Sequence, residues 1–152
     1  MSPSAFGLKL RNFLNISNAE KLLFFEAVIT SAYVKVVLLY FPFSKVAKWL
    51  GVSSASGNSH DVGTVQEIDI VKKIRFALRL CDKYTPWPTE CYTRSLTGKI
   101  MLKRRSIAST LVFGFEIGKH EKKIGHAWLR SAGMIVTGFC DFSKFEVHSR
   151  FS

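Results

Sequence analysis

Acidic side chains are scarce in this chain: 11 Asp and Glu stand against 22 Lys and Arg, for a formal net charge of +11 over 152 residues. Cysteine is scarce too. Three cysteines, an odd number, exclude a fully paired disulfide scaffold and fit a reducing compartment, so a cytoplasmic location is expected. His60, His120 and His148 show no paired short spacing with Cys81 or Cys140, and no zinc site is expected. The chain also lacks a glycine-rich phosphate loop, so no nucleotide and no other cofactor is expected. Met1 to Gly7 carries no charged region followed by an apolar run and a small-residue cleavage site, so no secretory signal is read there.

The excess of positive charge admits three kinds of partner. Nucleic acid is the generic one, but Lys and Arg are spread along the chain without a zinc-finger, helix-turn-helix or RNP-type pattern, so no nucleic acid is expected. An acidic partner or acidic peptide, steered by the field of the whole protein, is the second. A membrane surface is the third and the weaker. The densest cluster, Lys103-Arg104-Arg105, falls where it would complement the C-terminal end of a helix dipole, which accounts for it without a lipid.

Two regions are expected, a helical N-terminal region with a polar linker over 1–60 and a catalytic domain over 61–152. From Ala19 to Leu50 the pattern is helical with a break at Pro42. The run Ala32 to Phe41 is apolar almost all round, but Glu26 and Lys35 interrupt the stretch. What remains is short of the ~20 residues that cross a ~30 Å bilayer core, so it reads as a helix buried on the catalytic lobe. Ser53 to Asp61 is small and polar, the expected linker. Beyond it, Ile70, Val71, Ile74, Ala77, Leu78 and Cys81 recur at helical spacing, and Cys81 reads as core. Leu111, Phe113, Phe115 and Ile117 alternate as a strand. Ile124 to Arg130 and Met134 to Phe139 read as two more strands, joined through Ser131-Ala132-Gly133. The fold class expected is α+β, helices layered on an antiparallel sheet.

Chemistry concentrates at three residues. Pro86 and Pro88 cannot lie inside a helix, Thr89 can cap one, and Leu96, Ile100 and Lys103 continue at helical spacing, so Cys91 is expected in a first helical turn. Unpaired N–H groups and the positive dipole end there favour a thiolate. His126 and Asp141 fall on the hairpin's two arms. With an Ala132-Gly133 loop His126 faces Phe139 and lies diagonal to Asp141; with a turn one residue longer the two face each other. An intermediate, bulged register would instead pair His126 with Cys140 and turn Asp141 away. Nucleophile, base and orienting carboxylate make a thiol hydrolase the first reading, with Cys91, His126 and Asp141 in those roles. Trp87 and Trp128 flank two of the three and are expected to wall the site or touch substrate.

The segments Pro86-Trp87-Pro88, Cys91-Tyr92-Thr93-Arg94-Ser95-Leu96, Leu102 to Ile107, Leu111 to Phe115 and Gly125-His126-Ala127-Trp128-Leu129 resemble the transglutaminase-like protease half of lasso-peptide maturation proteins, the microcin-processing family. Ser106, Arg130 and Tyr92 depart from the family's usual glycine, acidic residue and leucine. The resemblance implies a transglutaminase-like or papain-like fold and a leader peptidase cutting a lasso precursor peptide. It implies, as partners, a small leader-binding protein of the PqqD type and an asparagine-synthetase-like cyclase. Two other readings stay open: an acyl transferase or amidase with the same three residues, and a non-enzymatic binding module with a basic surface.

Overall fold

The computed structural model describes residues 15–50, 62–116 and 125–152. Among the described residues four helices precede the sheet: α1 (Asn18–Tyr40), α2 (Phe43–Leu50), α3 (Val65–Tyr84) and α4 (Cys91–Lys103). Strands β1 (Thr110–Glu116), β2 (Gly125–Ser131), β3 (Met134–Thr137) and β4 (Phe145–Phe151) follow, with a short 3-10 turn at Phe142–Lys144. The sheet is antiparallel in the order β3-β2-β1-β4. The linker 53–61, His60, His120 and Ile117 lie outside the described residues.

Helix starts follow their local chemistry. Ser17 with Glu20 and Thr64 with Glu67 form capping boxes that satisfy first-turn N–H groups of α1 and α3. Pro42 separates α1 from α2. One apolar cluster joins all layers: Ala27 and Val34 of α1, Ile74 and Leu78 of α3, Leu96 and Met101 of α4, and Leu111 and Leu129 of the sheet. Polar side-chain contacts tie α1 to the segments around α4. Trp87 Nε1 donates to Ser31 Oγ at 3.3 Å, Lys35 Nζ to the Pro88 carbonyl at 2.9 Å, and Arg105 Nη2 to Glu26 Oε2 at 2.6 Å.

The apolar run of α1 is not buried all round. Its buried positions, Ala27, Thr30, Ser31 and Val34, are small residues that let α1 approach the core closely. Its large side chains face outward: Leu22, Phe25, Ile29, Tyr33, Val36 and Tyr40, spaced by three and four residues, form one exposed stripe, with Ile29 70% and Leu39 76% accessible. By length and composition alone, α1 could cross a membrane.

The sheet differs from expectation at both ends of its order. β4 adds a fourth strand on β1, its Phe145, Val147 and Phe151 supplying an alternation that the three-strand reading passed over. On the other side, the hairpin turns at Ala132 and Gly133, both at positive φ (48° and 72°), so that Ser131 pairs with Met134. A bulge then shifts the register between Leu129 and Arg130, and pairing stops at Leu129 with Thr137. β3 therefore ends two residues earlier than predicted, and Gly138, at φ +74°, turns the chain away.

Candidate active site

The early end of β3 builds the site. Beyond Thr137 the edge of β2 has no strand beside it, and the backbone of Ala127 is free to bond elsewhere. Its N–H favours the thiolate of Cys91, and its carbonyl accepts from Ser95 Oγ at 3.2 Å. Cys91 and Ser95 are one turn apart on α4, so a single residue of β2 docks the helix at two points. Ser95 Oγ also lies 2.8 Å from Thr137 Oγ1, closing the contact against β3. At Gly98, two turns from Cys91, an added Cβ would stand 2.7 Å from Leu129 Cδ2 and 3.1 Å from Leu78 Cδ1, so a larger residue would have to push these two buried side chains aside.

Cys91 is the first residue of α4 and half-buried. The expected cap is displaced by one position: Glu90 is the N-cap and makes no side-chain capping bond, while the Thr89 hydroxyl is drawn to the Asp82 carboxylate. The first turn of α4 thus lacks the side-chain acceptor that α1 and α3 have. Burial pushes the Cys91 thiol up, but hydrogen bonds from His126 and from the Ala127 and Tyr92 N–H groups, with the charge of His126, outweigh it and hold the thiol below its ordinary value. The Cys91 hydrogen bond raises His126 above the ordinary imidazole value against the opposing effect of burial, and the Gly138 carbonyl adds to it. Both shifts favour the thiolate–imidazolium pair. Cys81 and Cys140 shift the other way, chiefly through burial.

The group that orients the imidazole is a backbone carbonyl. His126 Nε2 lies 3.1 Å from the oxygen of Gly138. A nitrogen that donates to a carbonyl cannot accept a proton, so Nδ1 is the nitrogen left for the thiol. The structure does not bring Asp141 to this pair. Its exposed carboxylate accepts from Ser143 Oγ at 2.6 Å and Ser143 N at 3.3 Å, caps the 3-10 turn, and meets Lys144 Nζ at 3.5 Å. The physical reason is that pairing shifts at the bulge before Arg130 and ends at Thr137, after which Gly138 turns the chain out of the sheet before it reaches Asp141. Gly138 went unnoticed in the sequence because no side chain marks a carbonyl acceptor; its one signal is a glycine at the end of a β-branched run.

The two tryptophans differ in placement, Trp128 buried and Trp87 half-buried. Trp128 is 5% accessible and stacks with His126 (centroids 6.2 Å apart, planes at 28°), backed by Phe142 and Phe145, so it walls the far side of the base. Trp87 is fixed to α1 through Ser31. Among the described residues no three His, Cys, Asp or Glu side chains converge as metal ligands.

No curated protein and no solved structure matches the chain. Residues 37–150 match the transglutaminase-like superfamily, which starts inside α1 and takes in Cys91, His126 and Gly138. That superfamily carries a cysteine-protease and acyltransferase type of fold, and the α+β order of helices before an antiparallel sheet agrees with it. The chain belongs to the transglutaminase-like superfamily.

Proposed function

We propose that the protein is a cytoplasmic cysteine peptidase that removes the leader from a ribosomally made lasso precursor peptide. The observation that carries the peptidase reading is the pairing of Cys91 with His126, each pushing the other toward thiolate and imidazolium, at a helix start without a side-chain cap. His126 Nδ1 takes the thiol proton, and the thiolate attacks the carbonyl carbon of the scissile peptide bond. First-turn N–H groups of α4 meet the oxyanion. His126 returns the proton to the leaving amine as the C–N bond breaks, leaving a thioester on Cys91. Water, deprotonated by the same nitrogen, then releases the acid and restores the thiol. Gly138 holds the imidazole tautomer in place of Asp141.

The lasso assignment rests on the resemblance of the segments around Cys91 and His126, and with it come the PqqD-type leader-binding protein and the asparagine-synthetase-like cyclase as partners. The exposed apolar stripe on α1 supports an assembly, because such a face is stabilised by burial against another protein. Cys91→Ala and His126→Ala should each abolish precursor cleavage while far-UV circular dichroism stays unchanged. Wild-type turnover by either variant removes the assignment.

A further inference from the structure

Arg75 and Arg79, one turn apart on α3, and Arg94 on α4 line a cleft whose other wall is the segment 135–139. Among the described residues no carboxylate pairs with Arg75 or Arg79, although Arg94 is held by Asp82 at 3.2 Å and by the Thr89 carbonyl at 3.1 Å. The buried Nε of Arg94 has no hydrogen-bond partner. Guanidinium groups with open donor positions in one cleft are built for carboxylate. The cleft is continuous with the reacting pair. Gly138 both lines it and holds His126, and Arg94 stands one turn beyond Cys91 and acts on the His126 charge. Phe139, 77% accessible, offers an open ring at its rim.

We propose that this cleft is a substrate subsite that takes an acidic side chain of the peptide, close to the bond cut at Cys91, with Arg75 and Arg79 as the carboxylate's partners. The word substrate rests on the peptidase reading; the carboxylate preference does not. It also gives the basic surface a local purpose: the ligand's charge is read beside the nucleophile rather than by the field at large. Arg94, already committed to Asp82 and Thr89, is the positioning member that fixes the cleft's floor.

The test compares alkylation of Cys91 by iodoacetate, which carries a carboxylate, with alkylation by neutral iodoacetamide, each followed by peptide mass spectrometry at neutral pH. Two unit charges on the order of 8 Å away in a water-like dielectric multiply the local encounter by about fivefold. Arg75→Gln with Arg79→Gln should therefore lower the iodoacetate-to-iodoacetamide rate ratio by about that factor. Lys48→Gln with Lys72→Gln, which removes the same charge elsewhere, should leave it nearly unchanged. Equal falls in both double variants, or none in either, overturn the proposal. A second arm needs no reactive thiol: N-acetylglutamate, and not N-acetylglutamine, should shift the amide resonances of residues 135–139, and the arginine double variant should lose the response. An unreactive Cys91 with this response intact sinks the peptidase reading and keeps the subsite. A reactive Cys91 with no preference for glutamate does the reverse.

Discussion

Whether a carbonyl or a carboxylate orients His126 can be decided with two substitutions. In Asp141→Asn the amide oxygen still accepts from Ser143, and only an exposed, solvent-screened ion pair with Lys144 is lost. Turnover and the Cys91 alkylation profile should stay within about twofold of wild type. Gly138→Ala is different. At φ +74° a side chain strains the backbone by roughly 1–2 kcal/mol. Its Cβ would overlap the Ala127 carbonyl oxygen and stand 2.7 Å from Trp128 Cα, both of which the site needs where they are. The Gly138 carbonyl must move, and a 3.1 Å bond to His126 is stretched past useful length. A hydrogen bond to a charged group is worth about 1.5–3 kcal/mol, so precursor cleavage should fall roughly 10- to 150-fold at 1.4 kcal/mol per decade. The iodoacetamide rate of Cys91, followed against pH, should show its rise displaced to higher pH, because an imidazole that has lost its acceptor protonates less readily and supports the thiolate less. Thermal unfolding of both variants separates this from general collapse. A hundredfold loss in Asp141→Asn beside a near-normal Gly138→Ala would refute the carbonyl as orienter.

Further outcomes follow from the same geometry. Ser95→Ala strips the Ala127 carbonyl and Thr137 hydroxyl of a buried partner; it should cost about 1–3 kcal/mol in urea unfolding and lower turnover, because α4 is no longer held against β2. Gly98→Ala drives a methyl into Leu129 and Leu78; overpacking of roughly 1–3 kcal/mol, less about 1 kcal/mol of gained helix propensity, should leave a net loss of stability. Ile29→Glu should abolish the leader-binding protein's stimulation of cleavage; intact stimulation with lost binding to anionic vesicles would put a bilayer on that face instead. Burial pushes Lys99 down to about 8 from 10.5. The unfolded chain holds that proton to higher pH than the folded one, so this residue's contribution makes stability rise between about pH 8 and 10.5. In Lys99→Met, denaturation midpoints across that window should lose that rise.

What could be read from residues alone divides along physical lines. Cys91 at the start of a helix was legible because two prolines, Thr89 as a candidate cap and helical spacing act locally. Strands β1, β2 and β3 were legible because alternation and an Ala-Gly turn are local as well. Asp141 was not, because its place depends on the hairpin register, and a single bulge before Arg130 decides it. The burial of α1 was misjudged for a related reason. Apolar composition reveals that a helix can be buried, whereas the side it buries is set by which residues are small enough for close packing, here Ala27, Thr30, Ser31 and Val34. Side-chain patterns are likewise silent about backbone groups.

That silence matters most at Ala127 and Gly138, whose contributions to the site are an N–H and two carbonyls. A strand paired along its whole length would have spent the Ala127 groups on a ladder, leaving α4 to dock without them. Stopping β3 at Thr137 converts a strand edge, ordinarily a liability, into the fixture that sets the distance between nucleophile and base. The bulge and the positive-φ glycine are therefore one device, and the carboxylate displaced by it is free to cap a turn. Moving the bulge should test this as a unit: deleting Val136 would straighten the register, extend pairing past Thr137 and occupy the Ala127 groups. The hairpin should then be as stable as before by hydrogen exchange of β2, while Cys91 alkylation falls toward the rate of Cys140. A deletion variant whose Cys91 keeps its excess reactivity would show that the open strand edge is not what activates the thiol.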